Sequence, residues 1–337
     1  MFYKRRIIAK IILILFTFIL LFNFWACSES ALPPINDIKV KKDFSVNFLD
    51  VGQGDCIFIR LPDQKNLLID CGFKDSYNGN MEYINKFLAD YEVKEIDYFI
   101  LTHPDLDHIG NATQIISEYS VKKAFIPSIH KAQLNNFSEF KKVIELLDQK
   151  QVDYEISDIT KSIVGDNYFF VFLSPLEKTN SQSSYNQILQ SAIISDKSVN
   201  NLSPIIYFEC FNKRFIFTGD AEKEQELLVV ENYNNGVYDL YHKNKPFAIN
   251  LNNVDYLKVS HHGSNDASSK EFLKLINPAN AIISVGNQNF YGHPASEMLE
   301  RLFEVCPNNM LYRTDTLGTI SVFKENNEIK ISSIKDK

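Results

Sequence analysis

The sequence predicts an α+β protein built as a four-layer αββα sandwich, and three observations support this. Short apolar runs separated by turns recur from Phe44 onward, which is the pattern of buried strands. Amphipathic stretches alternate with the later runs, so helices are expected on the outer faces of the sheets. The apolar fraction is 45% over 337 residues, which is ample for a large core.

The individual elements follow from these periodicities. Strands are predicted at 44–50, 55–61, 66–70, 97–102, 122–126, 168–173, 204–210, 213–218, 254–260, 280–285, 310–313 and 318–323. Helices are predicted at 79–91, 110–119, 134–150, 221–232, 268–276 and 295–305. Residues 36 to about 165 would form the first half of the sandwich, and the remainder the second. Two stretches rich in polar residues, 179–201 and 233–253, are predicted to be surface loops.

The N-terminal segment predicts export from the cytoplasm. A basic stretch within residues 1–10 precedes the apolar run 11–24. This order is typical of a secretory signal, and an uncleaved membrane anchor is the alternative. Cys27 lies where a bacterial lipoprotein would carry its lipid, so attachment to a membrane is expected through either the segment or that lipid. The predicted organisation is a signal peptide or membrane anchor at 1–26, a linker at 27–36 and one domain at 37–337.

Charge and cysteine usage exclude some classes of protein. The formal net charge is −7, and no stripe of Lys or Arg stands out, so an extended basic surface for nucleic acid is not predicted. The cysteines form no Cys-x-x-Cys pair, which argues against a cysteine zinc site. Cys56, Cys71 and Cys210 lie in apolar runs and are predicted to be core residues, although a disulfide stays open.

The loop 102–108 carries the strongest functional signal. It reads Thr-His-Pro-Asp-Leu-Asp-His and directly follows an apolar strand. His103, Asp105, Asp107 and His108 supply nitrogen and carboxylate oxygen, which are ligands of zinc and neighbouring metals. A strand that ends in such a loop holds the ligands on a rigid support, so a metal site is predicted here.

Further metal-type residues follow later strands. Asp220 ends the run 215–219, and the pair His261 and His262 ends the run 257–260. His293 follows the strand predicted at 280–285. Of the seven histidines in the chain, five lie in such strand-end motifs, which chance explains poorly.

Together these motifs resemble the metallo-β-lactamase superfamily, and more closely the branch found as the hydrolase domain of the competence DNA-uptake channel (ComEC-type). The matching segments in order are Phe48–Asp55, Leu68–Gly72, His103–His108, Thr218–Asp220, Leu257–Ser264, Tyr291–Pro294 and Tyr312–Gly318. The resemblance implies the metallo-β-lactamase fold and a metal-dependent hydrolase.

The resemblance also implies roles for individual residues. The implied metal ligands are His103, Asp105, Asp107, His108, Asp220 and His261. His261 is preferred to His262 because it comes first after the strand, and His262 would then act as a proton carrier. Asp107 would also orient the attacking hydroxide, and Asp70 would hydrogen-bond the metal loop. The implied substrate contacts are His293, Asn201, Ser203 and Arg313. Two alternatives stay open for His293, which could complete a metal site or be a structural imidazole beside Pro294.

The expected cofactor is Zn²⁺ or Mn²⁺, as one or two ions. Asp105 stands where the wider superfamily has a second His, and a carboxylate there makes manganese a competitor to zinc. The residues before Asp220 include no further His, so the first metal position lacks one expected ligand.

The predicted function is an extracytoplasmic phosphodiesterase or nuclease that attacks DNA through a hydroxide activated by the metal. The expected partners are nucleic acid or another phosphodiester, with no obligate protein partner. Two alternatives remain: hydrolysis of carboxylic esters, thioesters or lactams on the same fold, and a non-catalytic surface binding module.

Overall fold

A computed structural model describes residues 43–74, 80–129, 131–175, 199–307 and 310–335. The predictions for the N-terminal segment, including the lipid on Cys27, lie outside these residues. Most of the loop predicted at 179–201 lies outside them as well. Within the described ranges, no helix combines the length and apolarity that a membrane span requires.

The first sheet has eight strands and is built from both ends of the described chain. Their spatial order is β15 (Glu328–Ile334), β14 (Thr319–Glu325), β1 (Ser45–Phe48), β2 (Ile57–Arg60), β3 (Asn66–Ile69), β4 (Glu95–Ile100), β5 (Ser120–Ile126) and β6 (Asp153–Ile156). Strands β3 to β6 run parallel to one another, whereas the remaining pairs in this sheet are antiparallel.

The second sheet has seven strands. Their spatial order is β13 (Leu311–Arg313), β12 (Asn280–Ile283), β11 (Tyr256–Lys258), β10 (Lys213–Phe217), β9 (Ile206–Cys210), β8 (Tyr168–Phe172) and β7 (Ser162–Val164). Strands β10 to β13 are parallel, so their carboxyl ends meet at one edge of the sheet.

An aromatic core joins the two sheets face to face. Phe44 and Phe208, from opposite sheets, have ring centroids 6.2 Å apart, and Phe48 lies 6.1 Å from Phe217. All four rings are essentially buried. Because these contacts remove large apolar surfaces from water, they are the main force that holds the sheets together.

The helices cover the outer faces of both sheets, which confirms the predicted αββα order of layers. In the described ranges they are α1 (Asn80–Asp90), α2 (Leu106–Ile109), α3 (Ala112–Glu118), α4 (Ser138–Lys150), α5 (Lys223–Asn234), α6 (Val237–Tyr241), α7 (Lys270–Ile276), α8 (Ser296–Phe303) and α9 (Thr314–Leu317). Separate apolar clusters pack the first four against the first sheet and α5 to α8 against the second.

The structure differs from the sequence prediction mainly at the sheet edges. Strands β6, β7 and β15 were not predicted, because edge strands are only partly buried and lack continuous apolar runs. The prediction that residues after about 165 form the second half was wrong for β14 and β15, which pair with β1 in the first sheet. The loop predicted at 233–253 contains the short helix α6.

Four cysteines lie in the described ranges, and each is a buried free thiol. They are Cys56, Cys71, Cys210 and Cys306. The first three lie in the apolar clusters, as predicted from their apolar runs.

Candidate metal centre

The strand ends of the two sheets bring together a compact group of imidazoles and carboxylates. Asp107, His108, Asp220 and His262 each offer one ligand atom, and these four atoms all lie within 4.8 Å of one another. His108, His262 and Asp220 are buried, whereas the side chain of Asp107 is 28% exposed. The group therefore has one face open to solvent.

Asp70 fixes the orientation of His108. One oxygen of its carboxylate accepts hydrogen bonds from the Thr102 hydroxyl at 2.7 Å and from Nδ1 of His108 at 2.8 Å. The other oxygen accepts the Thr102 backbone N–H at 2.9 Å. Because Nδ1 is engaged, Nε2 of His108 is free to face the cluster, where it lies 3.3 Å from Asp220. The predicted hydrogen bonding between Asp70 and the metal loop is present, with the Asp70 carboxylate as the acceptor.

His262 is oriented in the same way by a backbone carbonyl. Its Nδ1 lies 2.8 Å from the Ser284 carbonyl oxygen, so the ring presents Nε2 to the cluster. That nitrogen lies 3.3 Å from Asp107 and 3.4 Å from Asp220. Both histidines of the cluster thus have one nitrogen held by the protein and the other directed at the carboxylates, which is how metal-binding imidazoles are commonly arranged.

His103, Asp105 and His261 form a second group of possible ligands near Asp220. Nε2 of His103 is 3.6 Å from Asp105 and 4.0 Å from Asp220. Its Nδ1 lies 3.2 Å from the Ser203 hydroxyl, which also accepts the backbone N–H of Asp220. Ser203, predicted to contact substrate, is fully buried and holds these two residues instead.

His261 belongs to this second group. Its Nε2 lies 3.8 Å from Asp220, and its side chain is 21% exposed. His261 was preferred over His262 as a metal ligand on chain order, but Nε2 of His262 is the one that lies 3.3 Å from both Asp107 and His108, so the geometry favours the exchange of those two roles. Chain order alone could not decide this, because the left-handed backbone at both histidines sets where each ring lies. The assignment of each imidazole to a metal ion stays a prediction.

Lys258 and Asp55, which have no role in the sequence predictions, link the two sheets at the site. Nζ of Lys258 lies 2.6 Å from a carboxylate oxygen of Asp55, and both side chains are fully buried. The same ammonium donates to the Gly219 carbonyl at 3.3 Å. The backbone N–H of Asp55 donates in turn to the Asp107 carbonyl at 3.2 Å. A lysine inside the apolar run of β11 is the sequence signal that could have revealed this link.

The turn before Asp55 lies directly against the metal loop. Gly54 has φ of +126°, and a Cβ there would overlap the carbonyl oxygen of Asp107. Glycines in such a turn can serve close approach of the backbone or only chain reversal. At Gly54 the structure shows close approach of the backbone to the metal loop.

Charge dominates the protonation of the cluster. Burial disfavours ionisation of Asp107, but the neighbouring imidazoles of His108 and His262 hold the pKa of its carboxyl well below the usual range. Burial opposes protonation of His262, yet the carboxylates of Asp220 and Asp107 raise its pKa to about 10. The same balance raises the pKa of His108 and lowers that of Asp220. The carboxylates of the cluster thus favour positive charge beside them.

The donor set fits a divalent transition metal ion. Imidazole nitrogen and carboxylate oxygen are ligands of zinc and manganese, and both kinds converge here. The buried side-chain atoms without a hydrogen-bond partner in the described ranges include Nε2 of His103 and one oxygen of Asp220. Unpaired buried polar atoms are costly, and a coordinated cation would satisfy them.

The remaining predicted substrate contacts lie farther out. His293 is half-buried, with its ring centroid 5.7 Å from that of His261, and burial lowers its pKa to about 4. Asn201 is buried and caps the segment after Asp220 by accepting the Glu222 backbone N–H at 3.0 Å. Arg313 pairs with Asp315 at 2.6 Å and is partly exposed. His293 thus contacts His261 of the metal centre through its ring.

The αββα layers and the histidine–aspartate centre define the class of protein: a metallohydrolase of the β-lactamase type. The family model of the Metallo-beta-lactamase superfamily matches residues 49–287, and the chain belongs to that superfamily. The resemblance drawn from the motifs is therefore confirmed.

Curated relatives refine this placement. The chain is 29% identical over 288 residues to ComE operon protein 3 of Bacillus subtilis, a match that covers 82% of this chain and 32% of the relative. It is 27% identical over 265 residues to Recombination protein 2 of Haemophilus influenzae, covering 78% and 27% of the two chains. Competence protein ComA of Neisseria gonorrhoeae is 24% identical over 281 residues, with 83% and 32% covered. The matches thus span about a third or less of each relative's length.

Solved structures with a similar fold include the metallo-beta-lactamase fold protein YhfI of Bacillus subtilis. It is 10% identical, with a TM-score of 0.44 and coverage of 80% of this chain and 95% of that one. A diphosphatase of the PhnP family is also 10% identical, with a TM-score of 0.42 and coverage of 80% and 94%.

Proposed function

We propose that this protein is a metal-dependent phosphodiesterase that cleaves DNA outside the cytoplasm while attached to a membrane. The cluster of Asp107, His108, Asp220 and His262 carries the proposal, because four converging ligand atoms suit a divalent cation. The relatives support DNA as the substrate, since one is a recombination protein and another a competence protein.

The residues of the cluster would divide the work according to their exposure. A bound divalent ion would supply activation of water and neutralisation of the phosphate charge. Asp107 is the partly exposed member of the cluster, so it would accept a hydrogen bond from the attacking water. Asp70 would keep His108 in its tautomer, and the Ser284 carbonyl would do the same for His262.

The test is cleavage of single-stranded DNA by the full chain loaded with Mn²⁺ or with Zn²⁺. Asp107→Ala and His262→Ala should each lower the rate by about 10²–10⁴-fold, because each removes a ligand and a proton-handling group. Asp158→Asn is the matched control, since Asp158 is a buried carboxylate that bonds only within its own turn, to Thr160. Its rate should stay close to that of the unaltered protein.

Failure of the proposal has a defined signature. The protein would retain metal but leave DNA intact, and it would instead hydrolyse a carboxylic ester, thioester or lactam. Loss of that activity in Asp107→Ala would then assign the same centre to the alternative chemistry.

The proposed location needs its own measurement. Cell fractionation of the full chain and of Cys27→Ala should find the unaltered protein with the membrane. Release of the variant would identify the lipid as the anchor, and its retention would identify the N-terminal segment. Recovery of the unaltered protein among soluble cytoplasmic proteins would contradict the proposal.

A further inference from the structure

The loop that follows β12 presents two aromatic side chains to solvent. Phe290 is fully exposed at 105%, the most exposed large apolar side chain in the described ranges, and Tyr291 is 71% exposed. Exposing a phenylalanine forgoes the gain of about 1.5–3 kcal/mol available from its burial. Packing within the described fold therefore gives no reason for this position to be aromatic.

Hydrogen bonds hold the loop in one conformation. The side-chain amide of Asn289 donates to the carbonyl oxygens of Gly286 at 3.0 Å and His293 at 2.7 Å, and it accepts the His293 backbone N–H at 2.9 Å. The backbone N–H of Gly286 donates to the side chain of Gln53 at 3.2 Å. The two aromatic residues are thus displayed by a braced loop, which lowers the entropy cost of binding a ligand there.

A series of ring contacts connects this loop to the metal centre. The ring of Tyr291 stacks on that of His293, with centroids 5.7 Å apart and planes inclined by 25°. His293 in turn meets His261 at 5.7 Å, edge to face. Tyr291 is therefore two ring contacts away from a predicted metal ligand, and Phe290 precedes it in the chain.

We propose that Phe290 and Tyr291 form a stacking subsite for the bases of single-stranded nucleic acid whose phosphodiester lies at the metal centre. This inference rests on the proposed function and adds its substrate selectivity. The formal charge of −7 offers little general attraction for a polyanion, so contacts that do not depend on charge must contribute to affinity. Aromatic side chains supply such contacts to any base, because every base has a flat face.

The subsite predicts selection of single strands over duplexes. In a duplex the base faces are already stacked on one another, whereas a single strand can offer them to protein rings. Exposed aromatic residues could also enter a lipid surface, and the experiment separates these two uses.

The experiment compares oligothymidylate with an abasic phosphodiester strand of equal length, using the full chain loaded with Mn²⁺. The measured quantity is the ratio of kcat/KM for the two strands. Phe290→Ala and Tyr291→Ala should each lower this ratio by about fivefold to a hundredfold, chiefly through KM for the base-containing strand. Phe290→Trp and Tyr291→Phe keep a flat ring and should retain the preference. Tyr241→Ala alters an exposed aromatic residue on helix α6, away from this loop in the chain, and is the matched control.

The outcomes distinguish the subsite from the underlying hydrolase. Equal cleavage of both strands by the unaltered protein would overturn the subsite and leave the phosphodiesterase proposal standing. Absence of cleavage of either strand would overturn the phosphodiesterase itself. If the two alanine variants keep the base preference but lose binding to vesicles of phosphatidylglycerol and phosphatidylcholine, the rings serve a membrane surface and the subsite is refuted.

Discussion

Lys258 lies in an environment that its residue type rarely occupies. An ammonium group that is fully buried costs free energy unless it is paired, and its partner is the equally buried Asp55 at 2.6 Å. We expect Lys258→Met to lower the free energy of unfolding by about 3–5 kcal/mol, because it removes the nearest cation from the buried carboxylate of Asp55. Urea unfolding measures this loss.

A matched control separates burial from pairing. Lys213 pairs with Asp255 at the same distance of 2.6 Å, but its side chain is 39% exposed. Lys213→Met should therefore cost no more than about 1 kcal/mol. Equal losses in the two variants would contradict the importance assigned to the buried pair.

Gly54 is a second residue whose identity is dictated by contact. We expect Gly54→Ala to destabilise the protein by about 1–3 kcal/mol more than Gly52→Ala, because the new methyl group would overlap the carbonyl of Asp107. Both glycines have positive φ, but a Cβ on Gly52 meets nothing within 4 Å. Thermal unfolding of the two variants gives the comparison, and a larger loss for Gly52→Ala would show that conformation rather than contact decides.

At the scale of elements, the turn after β3 and the loop after β4 act as one unit through Asp70. We expect Asp70→Asn to weaken Mn²⁺ or Zn²⁺ binding by about 10–100-fold, because the amide no longer holds Nδ1 of His108 as a carboxylate does. Isothermal titration calorimetry with the metal measures the affinity.

Asp158→Asn again serves as the comparison for Asp70→Asn, since it changes a buried carboxylate that bonds Thr160. Metal affinity should be unchanged in that variant. Unchanged affinity in Asp70→Asn as well would remove Asp70 from the set of residues that position the metal ligands.

Central elements were predicted from the sequence and edge elements were not. Strand β9, predicted at 204–210, spans Ile206–Cys210 because all its residues except Glu209 are buried and apolar. The side chains of strand β6 are exposed or only partly buried, so its apolar signal is weak. Helix α4, predicted at 134–150, spans Ser138–Lys150 and preserves its amphipathic pattern.

At the scale of the whole molecule, the site joins the two sheets, so a metal ion bound there should stabilise the entire fold. Asp107 belongs to the first sheet's loops, and Asp220 and His262 belong to the second's. Metal at a hundred times its dissociation constant should add about 2.7 kcal/mol, or roughly 5 °C in Tm. Differential scanning calorimetry with Mn²⁺ and with a chelator measures the difference.

The same scan with Asp107→Ala provides the control, because that variant lacks one of the four converging ligands. Its Tm should respond to the metal much less than that of the unaltered protein. An equal response in both proteins would mean that the stabilising ion binds elsewhere.

The sequence by itself determined the family, the αββα layers and the residues that could bind a metal, because strand-end motifs are local in the chain. His103 to His108 could be recognised within a single loop, and the apolar strand before them predicted a rigid support for metal ligands. The tertiary structure alone decided which atoms meet. The approach of His262 rather than His261 to Asp107, the link from Lys258 to Asp55, and the pairing of β14 with β1 depend on contacts between residues far apart in the chain. Local periodicity carries no information about such contacts.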